Sequence, residues 1–105
     1  MRRGDVYRLR LPKGVGHEQI GERFGVVVQS NSFLPRSVVL VAPTSTSVRP
    51  ASYRPQVDIA GVSTRVLVEH VAAIDAQRLG RRVGSLAADD LWMVDEALGA
   101  VLGLM

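Results

Sequence analysis

Between Gly16 and Val28 the chain reads Gly-His-Glu-Gln-Ile-Gly-Glu-Arg-Phe-Gly-Val-Val-Val. Three consecutive positions offer an imidazole (His17), a carboxylate (Glu18) and a carboxamide (Gln19), and Arg23 follows at the start of an apolar run. Such a set can accept a proton, donate one and neutralise a phosphate. The plain alternative is a solvated loop whose charges do nothing, with Arg23 serving only to keep a strand edge from pairing with other chains. A second patch, Pro43-Thr44-Ser45-Thr46-Ser47, is rich in hydroxyls. It reads either as a turn making local side-chain bonds or as a rim where hydroxyls and strand-end amides meet an anion.

The elements that must position these groups follow from hydrophobic period and turn residues. Asp5–Leu11 reads as a strand ended by Pro12, and Lys13–Glu22, with three glycines in ten residues, as a loop. Phe24–Ser30 and Ser37–Pro43 are β-branched runs bounded by turn residues, and Gln56–Ile59 and Arg65–Glu69 are two more, with Gly61 in the turn between them. After Ser85 the period changes. Leu91, Val94, Leu98, Val101 and Leu102 recur at helical spacing, Ser85 is placed to cap the helix, and Asp89 and Asp90 suit its positive end. The expectation is a mainly β chain of five or six curved strands with one C-terminal helix packed on them.

At 105 residues, 47% hydrophobic and 22% charged, the chain is near the commonest domain size of roughly 100–150 residues and reads as one domain over 1–105. Cysteine is absent, which removes disulfides, thiolate metal sites and a Cys nucleophile, and fits a reducing cytosol. No signal-peptide core or apolar run of about 18 residues occurs, so a soluble, cytoplasmic protein is expected, with no membrane association. Of 13 basic side chains 12 are arginine, and they are unevenly placed. Residues 1–54 hold nine basic against three acidic side chains, a net +6, and residues 55–105 hold four against seven, a net −3. Guanidinium binds phosphate through two parallel hydrogen bonds, so the early excess points to a polyanion; arginine-rich usage also arises from GC-rich coding.

The ordered motifs resemble the MazF/PemK/Kid-type toxins, ribonuclease components of bacterial toxin–antitoxin systems. Arg3-Gly4-Asp5-Val6-Tyr7 is similar to that family's opening strand, Gly16-His17-Glu18-Gln19-x-Gly21-x-Arg23 to its glycine-rich loop, and Ala42-Pro43-Thr44-Ser45 to its hydroxyl rim. Arg65–Leu79 and Val94-Asp95-Glu96-Ala97-Leu98 match two further segments, so the likeness spans nearly the whole chain. The resemblance implies a small SH3-like barrel with a C-terminal helix, a homodimer, single-stranded RNA as substrate and a cognate antitoxin as partner. It places Arg23 and Thr44 on catalytic positions, Glu18 on a loop carboxylate proposed as base, and His17 and Glu69 on site positions of Kid-like members. Gln19, Phe24, Ser45, Thr46, Arg49 and Arg65 complete the expected RNA contacts. Phe24 departs from the family's proline and offers a ring for base stacking. His70 replaces the family's glutamine and is expected on a strand lining the groove or core. Leu67 stands where Kid-like members carry an arginine, and Arg65, two residues earlier on the same expected strand, is the candidate to replace it.

Metal-free RNA cleavage has three needs: a base near the 2′-hydroxyl, an acid near the leaving 5′-oxygen and a cation over the developing phosphorane. Glu18 suits the first; His17, whose type titrates near about 6.5, serves as base or acid. Arg23 suits the third as an electrostatic clamp, because guanidinium does not readily lose its proton. Thr44 would orient a phosphate oxygen. No cofactor is called for, and the sequence shows no paired-carboxylate cluster with two-metal spacing. The competing reading is a toxin of the same fold that poisons gyrase or binds RNA or protein without cutting.

Overall fold

The computed structural model describes residues 1–10 and 23–105; His17, Glu18 and Gln19 lie outside the described residues. Seven strands run in chain order: β1 (Asp5–Leu9), β2 (Phe24–Val27), β3 (Val38–Ser45), β4 (Gln56–Ile59), β5 (Val62–Val66), β6 (Ala72–Asp75) and β7 (Leu79–Ser85). The helix α1 (Ala88–Val101) follows, and short 3-10 turns occupy Asn31–Phe33, Val68–His70 and Ala76–Arg78. All pairings are antiparallel, in the order β4-β5-β3-β2-β1-β7.

Strand β3 is the hub. One edge pairs with β2, while the other is shared, Val38–Val41 with β6 and Thr44–Ser45 with β5. A strand whose partner changes midway must bend, and the β1–β7 ladder carries two register shifts that add twist. The result is a curled half-barrel. Its run of three valines at 26–28 lacks the polar alternation of a half-solvated strand because both sheet faces are covered. Val6, Val26, Ala42, Val66 and Val94 meet on the inner face, which α1 closes, while Val27, Val39 and Val41 pack on the other face with Tyr7, Leu9 and Ile74.

Several expectations are corrected. β3 is longer than expected and includes Thr44 and Ser45, so the hydroxyl rim is the end of a strand. β1 and β2 are shorter, and β6 and β7 are additional. β5 ends at Val66, after which Val68–His70 turns as a 3-10 helix. His70 is therefore on no strand and its ring is exposed. Ser85 caps nothing: β7 extends through it to pair with Asp5, its hydroxyl accepts from Arg82 Nη2 at 3.1 Å, and Ala87 precedes the helix with no side-chain cap. The helical stripe is also shorter than its spacing suggests. Val94 is buried with Leu91 and Leu98 beside it, whereas Val101 and Leu102 are exposed, and Trp92 is 62% exposed. Gly61 is in the expected turn, with Ala60 and Gly61 both at positive φ (50° and 79°) between the paired residues Ile59 and Val62.

Candidate nucleic-acid interface

One end of the sheet gathers the candidate residues by register. Ser45 of β3 is opposite Arg65 of β5, and Arg65 is opposite Gln56 of β4. Directly opposed residues of antiparallel strands share a face, so these three form a row. The β2–β3 ladder begins at the pair Gly25 and Pro43, and Arg23 stands just before β2, at the end of the sheet where β3 finishes in Thr44 and Ser45. The Arg23 carbonyl accepts the Leu9 amide at 3.0 Å, which fixes its backbone against β1. Among the described residues the Arg23 guanidinium has no hydrogen-bond or ion-pair partner, leaving its donors available.

The neighbouring row faces inward. Thr44 is opposite Val66. Thr44 is consequently buried, and Phe24 is half-buried against the core cluster. The ring that the sequence offered for stacking is thus partly committed to packing.

Beyond the rim, Ser45 Oγ accepts the Ser47 amide at 3.2 Å, an arrangement that turns the chain out of β3 and leaves Thr46 exposed. Arg65 Nη1 donates to the Arg54 carbonyl at 2.8 Å and Nη2 to Gln56 Oε1 at 3.2 Å; Gln56 Nε2 donates to Ser63 Oγ at 2.6 Å. Ser45, Thr46, Gln56, Ser63, Thr64 and Arg65 line a polar hollow of about 160 Å³. Hydroxyls, a carboxamide and a guanidinium around a small open hollow suit phosphate or the edge of a base.

Glu69 sits on the 3-10 turn after β5. Its Oε2 accepts from Arg54 Nε at 2.7 Å and lies 3.9 Å from His70 Nε2, while Oε1 is buried with no hydrogen-bond partner among the described residues. Leu67 is in the core at 3% exposure, its amide donating to the Pro43 carbonyl at 2.8 Å. The expectation that Arg65 shares a strand face with Leu67 fails because β5 stops between them. The guanidinium beside Glu69 comes instead from Arg54. Arg49 is exposed, and its carbonyl accepts from Arg54 Nη1 at 3.1 Å.

Register thus pairs Ser45 with Arg65 on one face, with Arg23 at the same end of the sheet, while Thr44 and Phe24 turn to the core, and the hollow at Arg65 takes in Thr46. Glu69 and Arg49 join through Arg54. Sequence reasoning counted Arg54 only as a cation of the loop after Thr44 and passed over Gln56 and Ser63. For Gln56 and Ser63 the signal was their polar place in the Gln56–Ile59 and Val62–Val66 hairpin; Arg54 had none beyond its charge. Among the described residues no group of three or more His, Asp or Glu side chains converges as a metal site, and no helix is long and apolar enough to cross a membrane.

Known proteins resemble the chain in sequence and in fold. The chain is 41% identical over 104 residues to Rv3098A of Mycobacterium tuberculosis, named as a toxin, with 97% of each chain covered. It is 32% identical over 114 residues to Endoribonuclease EndoA of Bacillus subtilis, covering 100% of this chain and 97% of that protein. The fold is matched by a mycobacterial endoribonuclease solved in complex with its cognate antitoxin, at a TM-score of 0.82 and 19% identity, covering 100% of this chain and 97% of that one. A family model matches residues 2–102, and the chain belongs to the PemK-like, MazF-like toxins of type II toxin–antitoxin systems.

Proposed function

We propose that this toxin is an endoribonuclease that cuts single-stranded RNA at selected sequences through attack of the 2′-hydroxyl on its own phosphorus, without a metal or other cofactor. The observation that carries the reading is the Arg23 guanidinium, unpartnered among the described residues, at the end of the sheet where Ser45 and Arg65 pair. A permanently charged fork at the end of the sheet that carries the hydroxyl rim fits a phosphate that gains charge in the transition state. Arg23 clamps that phosphate, Thr44 orients one of its oxygens, and Glu18 or His17 takes the 2′-proton. Gln19, Phe24, Ser45, Thr46, Arg49, Arg65 and Glu69 hold the flanking nucleotides.

In this reading the protein works in the cytosol as a homodimer, and an acidic antitoxin segment competes with RNA for the basic face. The relative named EndoA and the antitoxin-bound fold neighbour support the reading.

Incubation of the purified protein with total RNA in EDTA tests it. The expected products are 5′-hydroxyl ends and 2′,3′-cyclic phosphates at a recurring short sequence. RNA that stays intact, whether bound or unbound, overturns the nuclease assignment in favour of a non-cleaving toxin.

A further inference from the structure

Residues 46–55 join β3 to β4 with neither strand nor helix. Their geometry depends on side-chain bonds, and Arg54 makes most of them. Its guanidinium donates from Nε to Glu69 Oε2 at 2.7 Å and from Nη1 to the Arg49 carbonyl at 3.1 Å. Its carbonyl receives Arg65 Nη1 at 2.8 Å, its amide closes a turn on the Ala51 carbonyl at 3.0 Å, and its guanidinium lies over the Tyr53 ring, 5.4 Å from the centroid. One residue therefore touches three of the side chains or backbones assigned to RNA: Glu69, Arg49 and Arg65.

The Arg54 and Glu69 side chains are 22% and 21% exposed. An ion pair this far withdrawn from water is screened less than a surface pair, and a planar fork can satisfy two acceptors at a fixed angle where an ammonium cannot. Because its charge faces the Glu69 carboxylate, Arg54 is not itself available to a phosphate. Arg65 in turn is held by the Arg54 carbonyl on one side and Gln56 on the other.

We propose that Arg54 is a positioning residue, which sets the Arg49 and Arg65 cations and the Glu69 carboxylate in the arrangement that receives RNA without contacting RNA itself. The proposal rests on the reading of this face as an RNA site. It separates two effects that a single arginine usually confounds: affinity through geometry and affinity through charge.

The test is RNA binding across a salt series, read by fluorescence anisotropy with a random-sequence 2′-O-methyl RNA pool that no 2′-hydroxyl attack can cut. The double variant Arg54→Gln/Glu69→Gln removes the pair at constant net charge and leaves no lone buried carboxylate. Binding is expected to weaken about tenfold with the slope of log affinity against log salt unchanged, whereas Arg65→Ala lowers that slope by about 0.7, one phosphate contact on a single strand. With native RNA, KM rises while kcat changes less than about threefold, an outcome that a purely structural loss of active protein would not give. Should the double variant melt below the assay temperature, Arg54→Lys decides: it retains the charge beside Glu69 and loses the second acceptor, so binding weakens about threefold at constant slope. Wild-type affinity in the folded variant, or a slope lowered by about 0.7, overturns the positioning role. Failure of the wild-type protein itself to bind RNA overturns the reading of the face, and with it this proposal.

Discussion

Thr44 stands directly opposite Val66 in the β3–β5 ladder, so the residue whose hydroxyl is proposed to meet the phosphate shares a face with a core valine and is 2% exposed. Thr44 makes no side-chain hydrogen bond among the described residues, so the fold is expected to lose little with its hydroxyl. Thr44→Val keeps the shape and removes the oxygen. Stability is expected to change by less than about 1 kcal/mol, while kcat falls about 10- to 100-fold, the equivalent of one hydrogen bond to a charged group. RNA affinity should change less than about threefold, because polyanion binding rests on the cations. Equal losses in turnover and binding would contradict a catalytic hydroxyl.

Gly25 shows why a glycine interrupts an otherwise bulky strand. A Cβ there would stand 2.5 Å from Val41 Cγ1 and 2.9 Å from Leu9 Cδ2, so the two-sided packing around β2 leaves no room for a methyl group. Gly25→Ala is expected to destabilise by about 1–3 kcal/mol through overpacking. Thermal unfolding reads this directly, at roughly 4–8 °C for each kcal/mol in a domain of this size. An unchanged midpoint would mean that β1, β2 and β3 can spread without cost.

The two helix residues Trp92 and Val94 invert the usual ranking by size. Val94 is fully buried among Val6, Val26 and Val66, whereas Trp92 is 62% exposed beside an apolar groove of about 400 Å³ shared with Tyr53 and Met105. Val94→Ala should cost about 2 kcal/mol, and Trp92→Ala less than about 1 kcal/mol, in urea unfolding of the isolated protein. A larger loss at Trp92 than at Val94 would show that the exposed ring is covered in solution.

These contrasts show what could be read from the residues alone. The valine runs of β2 and β3, the turn at Gly61 and the helix were legible because β-branched runs, turn glycines and a change of period are local signals, whereas the strand after Gly61 was read as Arg65–Glu69 and runs over Val62–Val66. Strands β6 and β7 were not. Ala72-Ala73 has little β propensity, and Gly80 and Gly84 interrupt β7, so both strands depend on ladders supplied by β3 and β1. The end of β3 was misread for the same reason, since Thr44 and Ser45 become strand only by pairing with Val66 and Arg65. The Arg54–Glu69 pair spans 15 residues and two elements, a contact that no local pattern announces. Candidate site residues, by contrast, were legible as types and order: Arg23, Ser45 and Arg65 stand out as donors before any register joins them.

The central claim is that Arg23 stabilises the charge developing on phosphorus in a reaction that needs no metal. Single-turnover cleavage of an RNA substrate in EDTA by the wild-type protein, Arg23→Ala and Arg23→Lys measures it most directly. The account predicts a loss of at least about 100-fold for Arg23→Ala, with products still ending in 2′,3′-cyclic phosphate, and only partial recovery by Arg23→Lys because a point charge lacks the planar fork. Wild-type cleavage rates in Arg23→Ala would contradict it.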